Sequence, residues 1–189
     1  AMDLLEVIEA AGLDRVPVLA HSFGAAVALH LVRLAPQRIT ALVLLDPAVG
    51  LAPTLAGERA SVGQPLFEAP WQARQAQRYD WPTVAEEVIT AELEQHLVKA
   101  PGGYRFRYHQ PAVSTAWSEM CRAPMLPPAG LPTLVVPALQ ADYVREALIA
   151  GLRLALGDAL QVSSINCGHS VHLERPADVG ELIRGFLPD

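Results

Sequence analysis

The stretch Val18–Pro36, VLAHSFGAAVALHLVRLAP, runs from a short apolar segment into a long one with only a polar turn between them. RVPVLA is valine-rich and ended by His21 and Ser22, and AAVALHLVRLAP is apolar on most faces until Pro36. That pattern predicts a strand, a tight turn and a buried helix. Three further apolar runs follow, ITALVLLDP, LPTLVVPAL and LQVSSI, each bounded by Pro, Gly or Asp and separated by helix-compatible segments. Alternation of this kind predicts an α/β chain whose parallel sheet, of about four strands, is covered on both faces.

The flanks fit the same scheme. Asp3 and Glu6 have capping-box spacing, Leu4, Leu5, Ile8 and Ala11 recur at helical intervals and Gly12 suits a C-terminal cap, so a helix is expected at about 3–11. After Pro176, the residues Val179, Leu182, Ile183, Phe186 and Leu187 form one apolar stripe of a final helix. Between the second and third strands lie residues of another texture, with all three tryptophans. Thr83 and Glu86 again have capping-box spacing, and Val84, Val88, Leu93 and Leu97 give a rough apolar face to a helix from Thr83 to about Lys99. GGYRFRYHQP alternates aromatic and basic residues as a short strand or hairpin would. A structureless loop of this length is improbable in a compact domain. The expected organisation is therefore a core of residues 1–50 and 130–189 with a mainly helical cap, 51–129, inserted above the strand ends, where open α/β sheets bind ligands.

Composition narrows the partners. A net charge of −6 without any Lys/Arg cluster argues against a nucleic-acid surface and leaves a small neutral molecule as the expected ligand. Cys121 and Cys167 lie far apart and form no CxxC pair, so neither a disulfide framework nor a zinc site is expected; Cys167, His169 and His172 lack a fourth ligand and a standard metal spacing. The apolar run Ala41–Ala56 is interrupted by Asp46, Pro47 and Pro53 and is too short to span a bilayer. The opening AMDLLEVIEAAG is acidic and helix-patterned, unlike a signal peptide, which points to a cytoplasmic chain.

AHSFG, Ala20–Gly24, matches the G-x-S-x-G nucleophile elbow with alanine at the first glycine, in the strand–turn–helix context the motif requires. With VPVLAHSFGAAVALHLVRLAPQRITALVLLDP, LPTLVVPALQADYV and NCGHSVHLERPADVGELIRGFL beside it, the chain resembles the α/β-hydrolase fold superfamily, in its cap-bearing branch of esterases, lipases, epoxide hydrolases and carbon-carbon bond hydrolases. The resemblance implies a triad in the order Ser, acid, His. Ser22 then matches the nucleophile, His169 the base, and Asp142, in the loop after LPTLVVPAL, the acid. Asp46, at the end of ALVLLD, is the alternative acid, because some members carry it after the preceding strand; its other reading is a turn aspartate before Pro47. The backbone N–H of Phe23 would be one oxyanion-hole donor.

A serine at the elbow, where dehalogenases and epoxide hydrolases of this fold have aspartate, implies acyl transfer through an acyl-enzyme. The resemblance thus implies a serine hydrolase of a carboxylic ester or related small, apolar acyl compound, without cofactor or metal. The alternatives are a carbon-carbon bond hydrolase of the same fold and a truncated, non-catalytic ligand-binding homologue. The family's first strands and its His-Gly-rich oxyanion loop would precede the opening helix. Without them RVPVLA is expected at a sheet edge, open to self-association with a second chain.

Overall fold

The computed structural model describes residues 1–187. In chain order the elements are α1 (Met2–Ala10), β1 (Val16–His21), α2 (Phe23–Leu34), β2 (Ile39–Leu45), α3 (Pro53–Ser61), α4 (Pro70–Asp80), α5 (Glu86–His96), β3 (Leu97–Ala100) and β4 (Gly103–Phe106). They continue with α6 (Gln110–Met120), β5 (Thr133–Val136), α7 (Glu146–Leu156), β6 (Leu160–Val162), α8 (Val171–Glu174) and α9 (Pro176–Phe186). The chain forms two compact units, Ala1–Ala52 with the residues from Glu119 onward, and Pro53–Ser118. Residues 119–129, expected in the insertion, fall in the first unit: the Leu51 N–H donates to the Met120 carbonyl at 3.0 Å, and Pro124 lies against Gly50.

The first unit holds a parallel sheet in the order β1-β2-β5-β6. Its central strand β2 shows why the apolar runs are continuous. Leu42 and Leu44 pack with Leu29 and Val32 of α2 and Leu152 of α7, whereas Val43 and Leu45 pack with Leu134, Val136 and Val179 on the opposite face. Alternate side chains enter different cores, so a strand buried on both faces needs apolar residues at every position. Truncating any one of the fully buried leucines to alanine removes about 2–5 kcal/mol. β1 differs. Val16, Val18 and Ala20 pack on the α2 side, but Leu19 is 47% exposed, and among the described residues β1 pairs with β2 alone.

At the start of this unit, α1 begins one residue earlier than expected, with Ala1 at its N-cap, so Asp3 lies in the first turn and makes no capping-box bond; its charge still faces the positive end of the helix dipole. The other end is as expected. Gly12, at φ 67°, ends α1 with its N–H on Glu9 and the Leu13 N–H on Ile8, the pair of bonds that a left-handed glycine permits.

In the second unit the expected helix over Thr83–Lys99 is shorter, Glu86–His96 with Ala85 at the N-cap. The Glu86 carboxylate binds Arg74 and Arg78 of α4. Leu97–Ala100 instead forms an antiparallel hairpin with Gly103–Phe106, closed by Gly102 at φ 85°. Phe67 pairs with Tyr104 beside it, so close that a Cβ on Gly103 would collide with the Phe67 carbonyl. A cavity of about 450 Å³ lies within this unit, lined among others by Val62, Phe67, Phe106, Tyr108 and Val113. Of the aromatics in GGYRFRYHQP, Phe106 and Tyr108 line it, whereas Trp71 is 63% exposed.

Candidate active site

Because the four strands of the first unit are parallel, the loops leaving their C-terminal ends share one end of the sheet. Ser22 follows β1, Asp46 follows β2 and His169 lies in the loop after β6. Ser22 has φ 54° and ψ −123°, a region that residues other than glycine rarely occupy and that marks stored backbone strain. Three bonds hold it there. The Ser22 N–H donates to the Leu45 carbonyl at 3.1 Å, and the Ser22 carbonyl accepts from Ala25 at 3.0 Å and Ala48 at 3.3 Å. The alanine that replaces the motif's first glycine fits this turn: a Cβ built on Gly24 would stand 3.8 Å from the Ala20 Cβ, an ordinary contact. As the first residue of α2, Phe23 has an N–H without an intrahelical acceptor.

From Ser22 Oγ a hydrogen bond of 2.8 Å leads to His169 Nε2, and one of 2.6 Å leads from His169 Nδ1 to Asp46 Oδ2. An ionised carboxylate can only accept, so Nδ1 carries the imidazole proton and Nε2 is left to accept from the serine hydroxyl. Asp46 is fully buried. Its other oxygen, Oδ1, accepts from the Ala138 N–H at 2.9 Å, and its own N–H donates to the Val136 carbonyl at 2.8 Å. The carboxylate is thus fixed by the β5 edge, and Asp46 itself has a positive φ of 38°.

The sequence-based choice of Asp142 as acid is corrected here. Its side chain is 86% exposed and both its oxygens lie on Arg145 Nη1, at 3.1 and 3.2 Å. The neighbouring Tyr143 faces the site in its place, with its ring centroid 4.2 Å from that of His169. Asp46, the alternative, meets the histidine. Residue order alone does not distinguish them, because both follow strands that end at the same side of the sheet.

His21 escaped the sequence reading as a site residue. Its Nε2 lies 2.8 Å from the His169 carbonyl oxygen, and its ring centroid is 4.6 Å from that of His169 and 4.7 Å from that of His172. Burial, the largest influence, pushes the His21 imidazole down to about 4, and burial followed by the nearby His169 lowers His172 as well. The signal available in the sequence was only its place before the elbow serine. On the far side of His169, the Gly168 N–H donates to Glu174 at 3.0 Å. Cys167 is buried, with its thiol pushed up to about 11 chiefly by that burial. Among the described residues, no group of three or more His, Cys, Asp or Glu side chains is arranged to hold a metal ion, and no helix is long and apolar enough to cross a membrane.

Comparison with known proteins supplies the family. A family model described as "Alpha/beta hydrolase family" matches residues 1–182. The chain is 38% identical to Lipase LipV of Mycobacterium tuberculosis over 97% of its own length and 73% of the relative's. To Esterase YbfF of Escherichia coli it is 26% identical over its whole length and 74% of the relative's. Among solved structures, E-2-(acetamidomethylene)succinate hydrolase superposes with a TM-score of 0.77 at 19% identity, covering 97% of this chain and 70% of the other. A marine microorganism esterase gives 0.70 at 19% identity, covering 98% and 75%; at such identities the likeness speaks for the fold alone. A family match over almost the whole chain, together with 38% identity to LipV, shows that this protein belongs to the α/β-hydrolase family.

Proposed function

We propose that the protein is a serine hydrolase that cleaves a carboxylic ester or related small acyl compound through an acyl-enzyme on Ser22. Family membership and relatives named lipase and esterase support the coarser statement, an esterase-like hydrolase. The finer reading is carried by the unbroken line from Ser22 Oγ through His169 to Asp46, at 2.8 and 2.6 Å. In this reading His169 Nε2 takes the hydroxyl proton as Ser22 Oγ attacks the acyl carbon, and Asp46 stabilises the imidazolium that forms. The tetrahedral oxyanion accepts from the Phe23 N–H, at the positive end of α2. Collapse expels the alcohol with the proton from His169. Water, deprotonated by the same imidazole, then attacks the acyl-enzyme, releases the acid and restores Ser22. The inserted unit keeps the cap role that the sequence suggested as part of this proposal.

Fluorophosphonate labelling of the purified protein, with mass mapping of the adduct, tests the assignment without presuming a substrate. An adduct at Ser22 that is lost in His169→Ala, followed by turnover of an ester panel, is the expected result. A folded protein that shows no adduct, or one whose labelling ignores His169, overturns it. Turnover of vinylogous diketones but not of simple esters would replace it with carbon-carbon bond hydrolysis. Ligand binding without turnover, unchanged in Ser22→Ala, would replace it with a binding role.

A further inference from the structure

His169 is reached from Ser22 and Asp46 through its ring, but the ring can hold its aim only if the loop that carries it is fixed. That loop comes from β6, the outermost strand on its side of the sheet and only three residues long. The site contains one side chain that the acyl-transfer scheme does not use and that bonds to the backbone of the base itself. His21 Nε2 stands 2.8 Å from the His169 carbonyl oxygen. A carbonyl can only accept, so His21 Nε2 carries a proton.

We propose that His21 is a positioning residue for the acyl-transfer reaction: as an Nε2–H donor to the His169 carbonyl, it ties the base loop to the end of β1, next to the nucleophile. The inference rests on the serine-hydrolase reading above.

Three observations support it besides the bond. First, His21 is the last residue of β1 and Ser22 the next in the chain, so the bond ties the base loop to the residue adjoining the nucleophile. Second, the His21 ring has two ring neighbours, His169 at 4.6 Å and His172 at 4.7 Å, which limit its rotation. Third, burial holds His21 uncharged at neutral pH. A second imidazolium so close to His169 would oppose the positive charge that the base must acquire during proton transfer; a neutral donor fixes the loop without that opposition. The charged and titratable groups facing His21 are His169, His172 and Asp46, so a carboxylate is near but its partner is His169.

The test compares His21→Gln, whose amide reaches about as far as Nε2 and retains a donor, with His21→Phe, which keeps a ring of similar bulk and loses it. Fluorophosphonate acylation of Ser22 is expected to slow about tenfold to a hundredfold in His21→Phe, the cost of a misplaced base, with a shifted midpoint in its pH profile. In His21→Gln it is expected to stay within about threefold of wild type. A phenylalanine variant that is folded and acylates at the wild-type rate and midpoint overturns the proposal, as does equal loss in both variants, which marks a packing role only. Nitrogen-15 spectra of the wild-type histidines give a readout that needs neither variant nor acylation. His21 must appear as the Nε2–H tautomer and stay neutral through pH 6; an Nδ1–H tautomer, or ordinary titration near 6.5, overturns it. If wild-type Ser22 takes no adduct while His21 shows the expected tautomer, the serine-hydrolase reading fails and the tie between β1 and the base loop stands.

Discussion

Asp46 is buried with both carboxylate oxygens occupied, one by His169 Nδ1 and one by the Ala138 N–H, whereas Asp142 is exposed on Arg145. The two aspartates therefore make opposite predictions. Asp46→Asn leaves an oxygen for Ala138, but the amide no longer enforces the Nδ1–H tautomer of His169. Where a serine protease loses its triad carboxylate in the same way, turnover falls about 10⁴-fold, and a loss of that order in Ser22 acylation is expected here. Asp142→Asn removes an exposed ion pair of little consequence and is expected to acylate within about twofold of wild type. Equal loss in both, or loss in Asp142→Asn alone, would refute the assignment of the acid. At this scale the roles proposed for Ser22 and His169 come from the sequence itself, because each lies in a local stretch, AHSFG or CGHSVHLERP, that carries its own context. Asp46 was legible only as one of two choices. What selects it is the pairing of β2 with β5, which brings the Ala138 N–H to its carboxylate, and that pairing joins residues far apart in the chain.

The loop from β6 to α8 is held on either side of His169, by His21 on the carbonyl and by Glu174 on the preceding Gly168 N–H. A Cβ on Gly168 would lie 2.5 Å from Glu174 Oε1 and 3.2 Å from its Cδ, the far end of a flexible side chain. Gly168→Ala must therefore displace the carboxylate that binds the loop, and acylation of Ser22 is expected to slow about tenfold, the scale of one lost charge-assisted hydrogen bond. Because the clash and the bond involve the same side chain, Gly168→Ala with Glu174→Ala together should be no slower than Glu174→Ala alone, a non-additivity that a double-mutant cycle reads directly. Fully additive losses would show that Gly168 acts through backbone freedom instead. Elements whose pattern is set by burial on both faces, such as β2, were readable from their residues alone. The start of α5 was not, because Thr83 and Glu86 carry a capping signal and the choice of Glu86 for Arg74 and Arg78 depends on α4 packing beside it.

Across the whole molecule, the imidazole of His21 ties the site to stability. The alternation of strands and helices could be read from sequence, but no local pattern reveals that a histidine at a strand end is part-buried beside two others. Its value falls from 6.5 to about 4 because burial penalises the charged form. Between those limits the unfolded chain binds the proton that the folded chain refuses, so stability rises with pH across this window. The contribution is fully present above 6.5 and is lost as pH falls toward 4, by about 3 kcal/mol for His21 alone. The lowered His172 acts in the same direction. Urea unfolding of wild type and His21→Gln from pH 7 to pH 4 is expected to give curves that converge as the medium is acidified, because glutamine has no proton to refuse. The difference between the two curves isolates the histidine from carboxylates that titrate in both proteins. A difference independent of pH would mean that His21 takes up its proton in the folded state near the ordinary value, and that the neutral donor on the His169 carbonyl does not persist in solution below about pH 6.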